Sequence, residues 1–255
     1  MKWIKEFFFA LTFLTRLPSP IKVEYNEELP SKSMAFYPLV GLIIGIFLVL
    51  SDIVLSTFLS TGIANIFILI VWIYLSGGLH LDGFIDSIDG LFSSRKKERM
   101  LEIMHDSRVG AFGVIALIIL LLLKYNLLLE MPDLLRSGVL LFSPALSRFL
   151  IVIIAANFPL AMSSTLGKGF NYHLGLREQF IGAIWLLILM SVLNYFNFNI
   201  LIFIVLSIIS FLFTIIIALY VCRKIDGLTG DIYGAMVELN EVFILLSYII
   251  LSNWL

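Results

Sequence analysis

Residues 62–90 read GIANIFILIVWIYLSGGLHLDGFIDSIDG, an apolar run that gives way, at His80, to three aspartates, Asp82, Asp86 and Asp89. A helix needs about 20 mostly apolar residues to cross the hydrocarbon core of a bilayer, and residues 62–81 supply them. If the segment stays helical beyond Leu81, steps of four and three residues bring the three carboxylates onto one face. Like charges stacked at a membrane edge repel one another, so a bound cation or protonation must offset them.

Outward from this stretch the chain repeats the same alternation. Its 255 residues are 60% hydrophobic and only 14% charged, with a mean hydropathy of +1.05, and a soluble domain of that size could not cover its surface with polar groups. The expected fold is an all-α polytopic membrane bundle of about seven transmembrane helices plus short interfacial helices. The spans are expected at 34–58, 62–81, 110–129, 137–156, 180–196, 200–221 and 241–255, the last beginning nearer Tyr233. Residues 1–15 imitate a signal peptide, but Arg16, Pro18 and Pro20 stand where a small-residue cleavage site belongs, so this stretch is read as a retained interfacial or re-entrant helix anchored by Trp3. No linker, repeat or low-complexity tract divides the chain, and residues 1–255 are read as a single domain.

Basic residues are retained on the cytoplasmic side of short loops. Fourteen of the 17 Lys and Arg fall in alternate polar stretches, those before the first span and after the second, fourth and sixth; the exceptions are Lys124, Arg136 and Arg148. The amino terminus is therefore expected in the cytoplasm, the carboxyl terminus outside, and a site built from the polar loops facing the cytoplasm from the cell (inner) membrane. Cys222 is single and forms no intramolecular disulfide. A net charge of −1 argues against a nucleic-acid partner; the lipid bilayer is the expected surrounding, and the sequence leaves a homo-oligomer open.

Three constellations carry chemistry. In the first, Asp82, Asp86 and Asp89 offer oxygen ligands to a hard cation, and Mg²⁺ in particular prefers a few carboxylates plus water and substrate phosphates; His80 is a ligand, an acid–base group or an interfacial histidine. In the second, Asp106, Ser107, Arg108 and Gly110 either hold a phosphate through the guanidinium or form a helix entry capped by Asp106 or Ser107. In the third, Gly230, Asp231 and Glu238 follow Thr229; the two acids share a helical face and either complete the metal site or belong to a capped, glycine-packed helix entry. A short helix over 95–104, capped by Ser93 or Ser94, is expected between the first two. Arg148 lies inside an apolar run, where it should pair with an acid or a phosphate, and Lys168 is a loop lysine within reach of an anionic ligand.

The ordered set Gly77-Gly78-Leu79-His80-Leu81-Asp82-Gly83 with Asp86 and Asp89-Gly90, then Asp106-Ser107-Arg108-Val109-Gly110, then Leu228-Thr229-Gly230-Asp231 with Gly234-Ala235 and Glu238, resembles the cobalamin synthase (adenosylcobinamide-GDP ribazoletransferase) family. Phe13-Leu14-Thr15-Arg16-Leu17-Pro18 and Phe36-Tyr37-Pro38-Leu39-Val40-Gly41 extend the likeness over nearly the whole chain. The resemblance implies a membrane-bound, Mg²⁺-dependent transferase that joins adenosylcobinamide-GDP to alpha-ribazole or its 5′-phosphate and releases GMP. By position, Asp82, Asp86 and Asp89 would bind Mg²⁺ and the diphosphate, with Asp231 and Glu238 as ligands from the second acidic stretch. Phosphoryl transfer asks for alignment and charge neutralisation rather than a nucleophilic side chain. Two other readings compete. A CDP-alcohol phosphotransferase also hangs spaced aspartates at a membrane surface, but Phe84-Ile85-Asp86 stands where its Ala-Arg pair belongs. An ion-coupled transporter would use Arg148 and the aspartates as an intramembrane relay, and the inverted halves that would support it are not seen.

Overall fold

The computed structural model describes residues 2–161 and 174–252. Among these the chain is helical throughout, with a single isolated parallel bridge, Leu160 to Leu228, and no sheet. An N-terminal helix α1 (Lys2–Leu14) and a short α2 (Leu29–Ser33), followed by a 3₁₀ turn at Met34–Phe36, lead into the long helices α3 (Tyr37–Ser56) and α4 (Thr61–Ser76). Next come α5 (Leu79–Leu91), α6 (Lys97–Met104), α7 (Ala111–Glu130), α8 (Asp133–Asn157), α9 (Leu176–Tyr195), α10 (Ile200–Ile225) and α11 (Gly230–Ser252). Among the described residues six segments are long and apolar enough to cross a membrane, up to seven if α4 and α5, a pair bent by 89°, count as one span. The fold is a polytopic helical bundle.

The fifth span begins four residues before the hydropathy suggests, the sixth begins at Ile200 as expected, the last begins at Gly230, close to the expected Tyr233, and the second differs in kind. It was expected to run to Leu81, but it stops at Ser76, where Gly77 and Gly78 take left-handed φ values of 63° and 72°. That backbone region is open to glycine at little steric cost, and the chain uses it to swing α5 away from the axis of α4. Lys96, not Ser93 or Ser94, precedes the short helix over Lys97–Met104, and no side chain caps it; the Ser93 hydroxyl instead donates to the Gly90 carbonyl.

α8 and α11 are the most deeply enclosed spans, and α7 and α10 turn rows of isoleucine, leucine and phenylalanine outward, as helices facing lipid do. α3 lies against α8 through Gly41 and Gly45, where an added Cβ would stand 2.2 Å from the Pro144 carbonyl oxygen and 2.6 Å from that of Leu140. Small residues four apart allow two backbones to approach this closely without a hydrophobic drive between spans.

The three bases that break the charge asymmetry are internal. Arg136 is buried, with Nε 2.9 Å from Asp52 and further bonds to Asn65 and the Leu128 carbonyl. This ties the end of α3, the start of α4 and the end of α7 at one pole of the bundle. At the opposite pole the Arg16 side chain reaches the Gly77 carbonyl at the far end of α4. α4 therefore runs the length of the bundle, although its 16 residues span only about 24 Å. Lys124 and Arg148 lie deeper and are described with the site.

Candidate active site

α5 crosses the pole to which the second, fourth and sixth spans descend, and its sequence explains how it packs there. Leu81, Phe84 and Leu91 bury on one side, Asp82 stays exposed and Asp86 is half-buried. Gly83 faces α11 so closely that a Cβ would stand 2.8 Å from the carbonyl oxygen of Asp231 and 2.9 Å from its Cα. One turn on, Gly234 of α11 meets the backbone of His80 and Gly83 in the same way. The two acidic stretches, more than 140 residues apart in the chain, are thus locked together through glycines. Thr229 caps α11, its hydroxyl accepting from the Ile232 amide at 3.3 Å, which sets Asp231 in the first turn.

The carboxylates feel one another. Burial, and then the charges of Asp82, Asp231 and Asp89, push Asp86 up to about 6, the direction expected when acids share a site without a cation. Among the described residues no three ligand side chains are already gathered around one point. Asp82 and Asp231 line one cavity and Asp86 lies within reach of their charge, an open edge of carboxylates and not a closed cage.

The other two acids in the expected metal set are engaged elsewhere. Asp89 is buried, and its carboxylate accepts from the amides of Gly110 at 2.7 Å and Gly113 at 2.8 Å. It caps α7 from a neighbouring helix, satisfying donors that the first turn leaves open, so neither Asp106 nor Ser107 performs that role. Glu238 lies inside the bundle, where Lys124 bonds both Glu238 and Glu241 at 2.6 Å. Glu241 also accepts from Arg148 at 2.6 Å and from the Trp72 indole at 3.3 Å. Arg148 is paired with an acid as expected, and two bases balance two acids in a network almost wholly removed from solvent. Asp106 holds Arg108 through two-pronged bonds as short as 2.6 Å, and the guanidinium pulls its carboxyl down to about 2; the pair and Ser107 lie exposed beside the cluster. Gly230 opens α11 and is exposed. Lys168 lies outside the described residues.

Two spaces meet at Asp82. One is a cavity of about 210 Å³ whose walls include Phe13, Met34, Tyr37, Ile151 and Val237, with His80, Arg148 and Asp231 among its polar atoms. The other is a wider groove of about 590 Å³ running past Thr12, Arg16 and Gly77–Leu79. Phe13, Leu79 and Asp82 border both. Arg16, quoted in a family motif without a role, and Glu241, in none of the motifs, join the candidate residues here. Arg16 looked like a positive-inside residue; Glu241 was legible as the acid that Arg148 required.

With this geometry in view, the comparisons are consistent. Residues 6–249 match the family model described as cobalamin-5-phosphate synthase. A Desulfitobacterium hafniense protein named adenosylcobinamide-GDP ribazoletransferase is 40% identical over 252 residues, covering 96% of this chain and 97% of that one. Proteins of the same name from Acetivibrio thermocellus and Clostridioides difficile are 36% and 33% identical, each covering 97% of this chain and 98% of their own. No solved structure matches. A full-length family match, relatives above 30% identity and two acidic stretches joined at one pole lead to one conclusion: the chain belongs to the cobalamin-5-phosphate synthase family.

Proposed function

We propose that this chain transfers the cobinamide phosphoryl unit of adenosylcobinamide-GDP to alpha-ribazole or its 5′-phosphate, releasing GMP and giving adenosylcobalamin or its 5′-phosphate. The observation that carries this reading is Asp82 at the seam between a small apolar cavity and a wider groove, with Asp231 on the cavity wall and Asp86 within reach of both charges. A reaction with two large organic substrates and a diphosphate needs two receptacles and concentrated negative charge at their junction. A transporter would need a path through the bundle, and the buried Lys124, Glu238, Glu241 and Arg148 instead neutralise one another.

The donor set fits Mg²⁺. Hard oxygens facing an open space suit an ion that keeps waters and substrate phosphates among its ligands, and the raised Asp86 marks charge that a cation would relieve. Asp82, Asp86 and Asp231 would hold it, while Asp89 orients α5 against α7. When bound, the ion neutralises the diphosphate and the leaving GMP. The residues themselves align a ribose hydroxyl with the phosphorus on the cobinamide side. As the new P–O bond forms and the bond to GMP breaks, a carboxylate of the cluster accepts the hydroxyl proton. Arg16, exposed and bonded only weakly to the Gly77 carbonyl at 3.5 Å, is placed to grip donor phosphate. On this reading the pole faces the cytoplasm from the inner membrane, the side that the distribution of basic residues favours.

The test is direct. Purified protein in detergent, given adenosylcobinamide-GDP, alpha-ribazole and Mg²⁺, is expected to yield GMP and a cobalamin product in equal amounts, and to stop when the ion is chelated. Nucleotide release without a corrinoid product, or turnover unaffected by chelation, would overturn the respective parts of the reading.

A further inference from the structure

The floor of the smaller cavity carries an unusual pair of atoms. Arg148 is 1% exposed and His80 5%, yet Arg148 Nε and His80 Nδ1 have no hydrogen-bond partner, and both residues line the cavity. Buried polar atoms are nearly always satisfied, and an orphan in such a place calls for a missing partner. The charge of Arg148 is already met: one terminal nitrogen bonds Glu241 at 2.6 Å and also Ser147 and the Pro144 carbonyl at 3.1 Å. What remains beside the cavity is the unpaired Nε N–H of Arg148, without excess positive charge, next to the unpaired Nδ1 of His80, among the side chains of Met34, Tyr37, Ile151 and Val237. A phosphate there would bring unbalanced charge into an apolar chamber. A flat, uncharged aromatic ring with one ring-nitrogen acceptor would satisfy the donor and the walls together.

We infer that Asp82 divides the site into two chambers, the enclosed cavity receiving the aromatic base of the acceptor nucleoside with its unsubstituted ring nitrogen on Arg148 Nε, and the Arg16 groove receiving the phosphorylated donor. This rests on the transfer reading above and adds which substrate goes where. The acceptor's ribose then lies at the cavity mouth beside Asp82 and Asp231, its attacking hydroxyl toward the groove. A 5′-phosphate, if present, stays outside the apolar chamber. Arg16, which has no carboxylate partner among the described residues, remains free for the donor's anion.

Steady-state kinetics of the full-length protein with both substrates varied separates the assignments. Ile151→Phe and Val237→Phe, which narrow the cavity, are expected to raise KM for alpha-ribazole about tenfold or more while leaving KM for the GDP-activated donor near the wild-type value. Arg16→Ala, at an exposed position, is expected to do the reverse. An acceptor analogue with C–H in place of the free ring nitrogen tests the Arg148 contact without altering the protein; it should bind wild type about tenfold more weakly. Raised donor KM in the cavity variants, or equal use of the two acceptors, overturns the chamber assignment while the transfer itself stands. Absence of any transfer by wild type overturns the reading on which it rests.

Discussion

At the level of single residues, the six acids and two bases around the site have separate duties. Asp82 and Asp231 border the cavity, half-buried Asp86 feels their charge, Asp89 holds amides, and Glu238 and Glu241 hold buried cations. Asn at Asp82 or Asp86 keeps shape and removes charge, so either change is expected to lower kcat, assayed by GMP release, by two or more orders of magnitude without lowering expression or melting temperature. The pH dependence follows from Asp86. Its folded value is raised to about 6 from 3.8, so between those values the ion-free folded state carries a proton that the unfolded state lacks, and folding loses stability as pH rises through that window. Cation binding needs the ionised form and therefore weakens as pH falls through about 6. Titrating Mg²⁺ at pH 7.5 and pH 5.5 should show weaker affinity at the lower pH in wild type, with the difference much reduced in Asp86→Asn. Glu241→Gln is a different kind of change. It removes the acid shared by Lys124 and Arg148, and stranding buried charge is expected to cost about 3–5 kcal/mol, read as a lowered melting temperature in detergent.

At the level of elements, what decides the site is how α5 meets its neighbours. Gly83→Ala would press a methyl group to within 2.8 Å of the Asp231 carbonyl oxygen, so α5 and α11 must separate. The expected result is a folded protein with activity reduced about a hundredfold, because a shift of about 1 Å suffices to misalign in-line transfer. Gly78→Ala is the matched control: a Cβ there meets nothing within 4 Å, but φ is +72°. It should cost about 1–2 kcal/mol of stability and leave KM values near normal. These elements also mark the limit of what the sequence reveals. The helical spacing of Asp82, Asp86 and Asp89 was legible, as was their placement at a span's end, because hydropathy and periodicity are local. Their division of labour was not: Asp89 is taken from the metal set by Gly110 and Gly113, 21 and 24 residues away, and Glu238 by Lys124 at a separation of 114. Only the packing of helices decides such pairings. The break at Gly77–Gly78 was hidden for a related reason, since both residues are compatible with an apolar span and only their left-handed φ ends it.

For the molecule as a whole, the arrangement of charge and the arrangement of helices can be set against each other. Lys124, Arg136 and Arg148 were the exceptions to the positive-inside pattern, and all three are buried in ion pairs, so none is a loop charge and the pattern for loops is unbroken. Arg136 gathers Asp52 and Asn65 at one pole, while Gly77, Asp82, Gly110 and Asp231 lie toward the other. α4 thus connects the poles, yet at about 24 Å it is shorter than the roughly 30 Å hydrocarbon core. The Gly77–Gly78 turn delivers α5 to the interface at that point, where a short span is accommodated by local thinning or by polar flanks. This geometry makes a definite prediction about sidedness. In a Cys222→Ser background, single cysteines at Ser60 and Asn197 should react with a membrane-impermeant maleimide applied to intact cells, whereas cysteines at Ser93 and Ser107 should react only after permeabilisation. If α4 and α5 instead form a re-entrant loop, positions 60 and 93 would label from the same side. If all four patterns reverse, the carboxylate edge faces outward, away from the cytoplasmic nucleotide pool, and the activated donor would have to be supplied from the far side of the membrane.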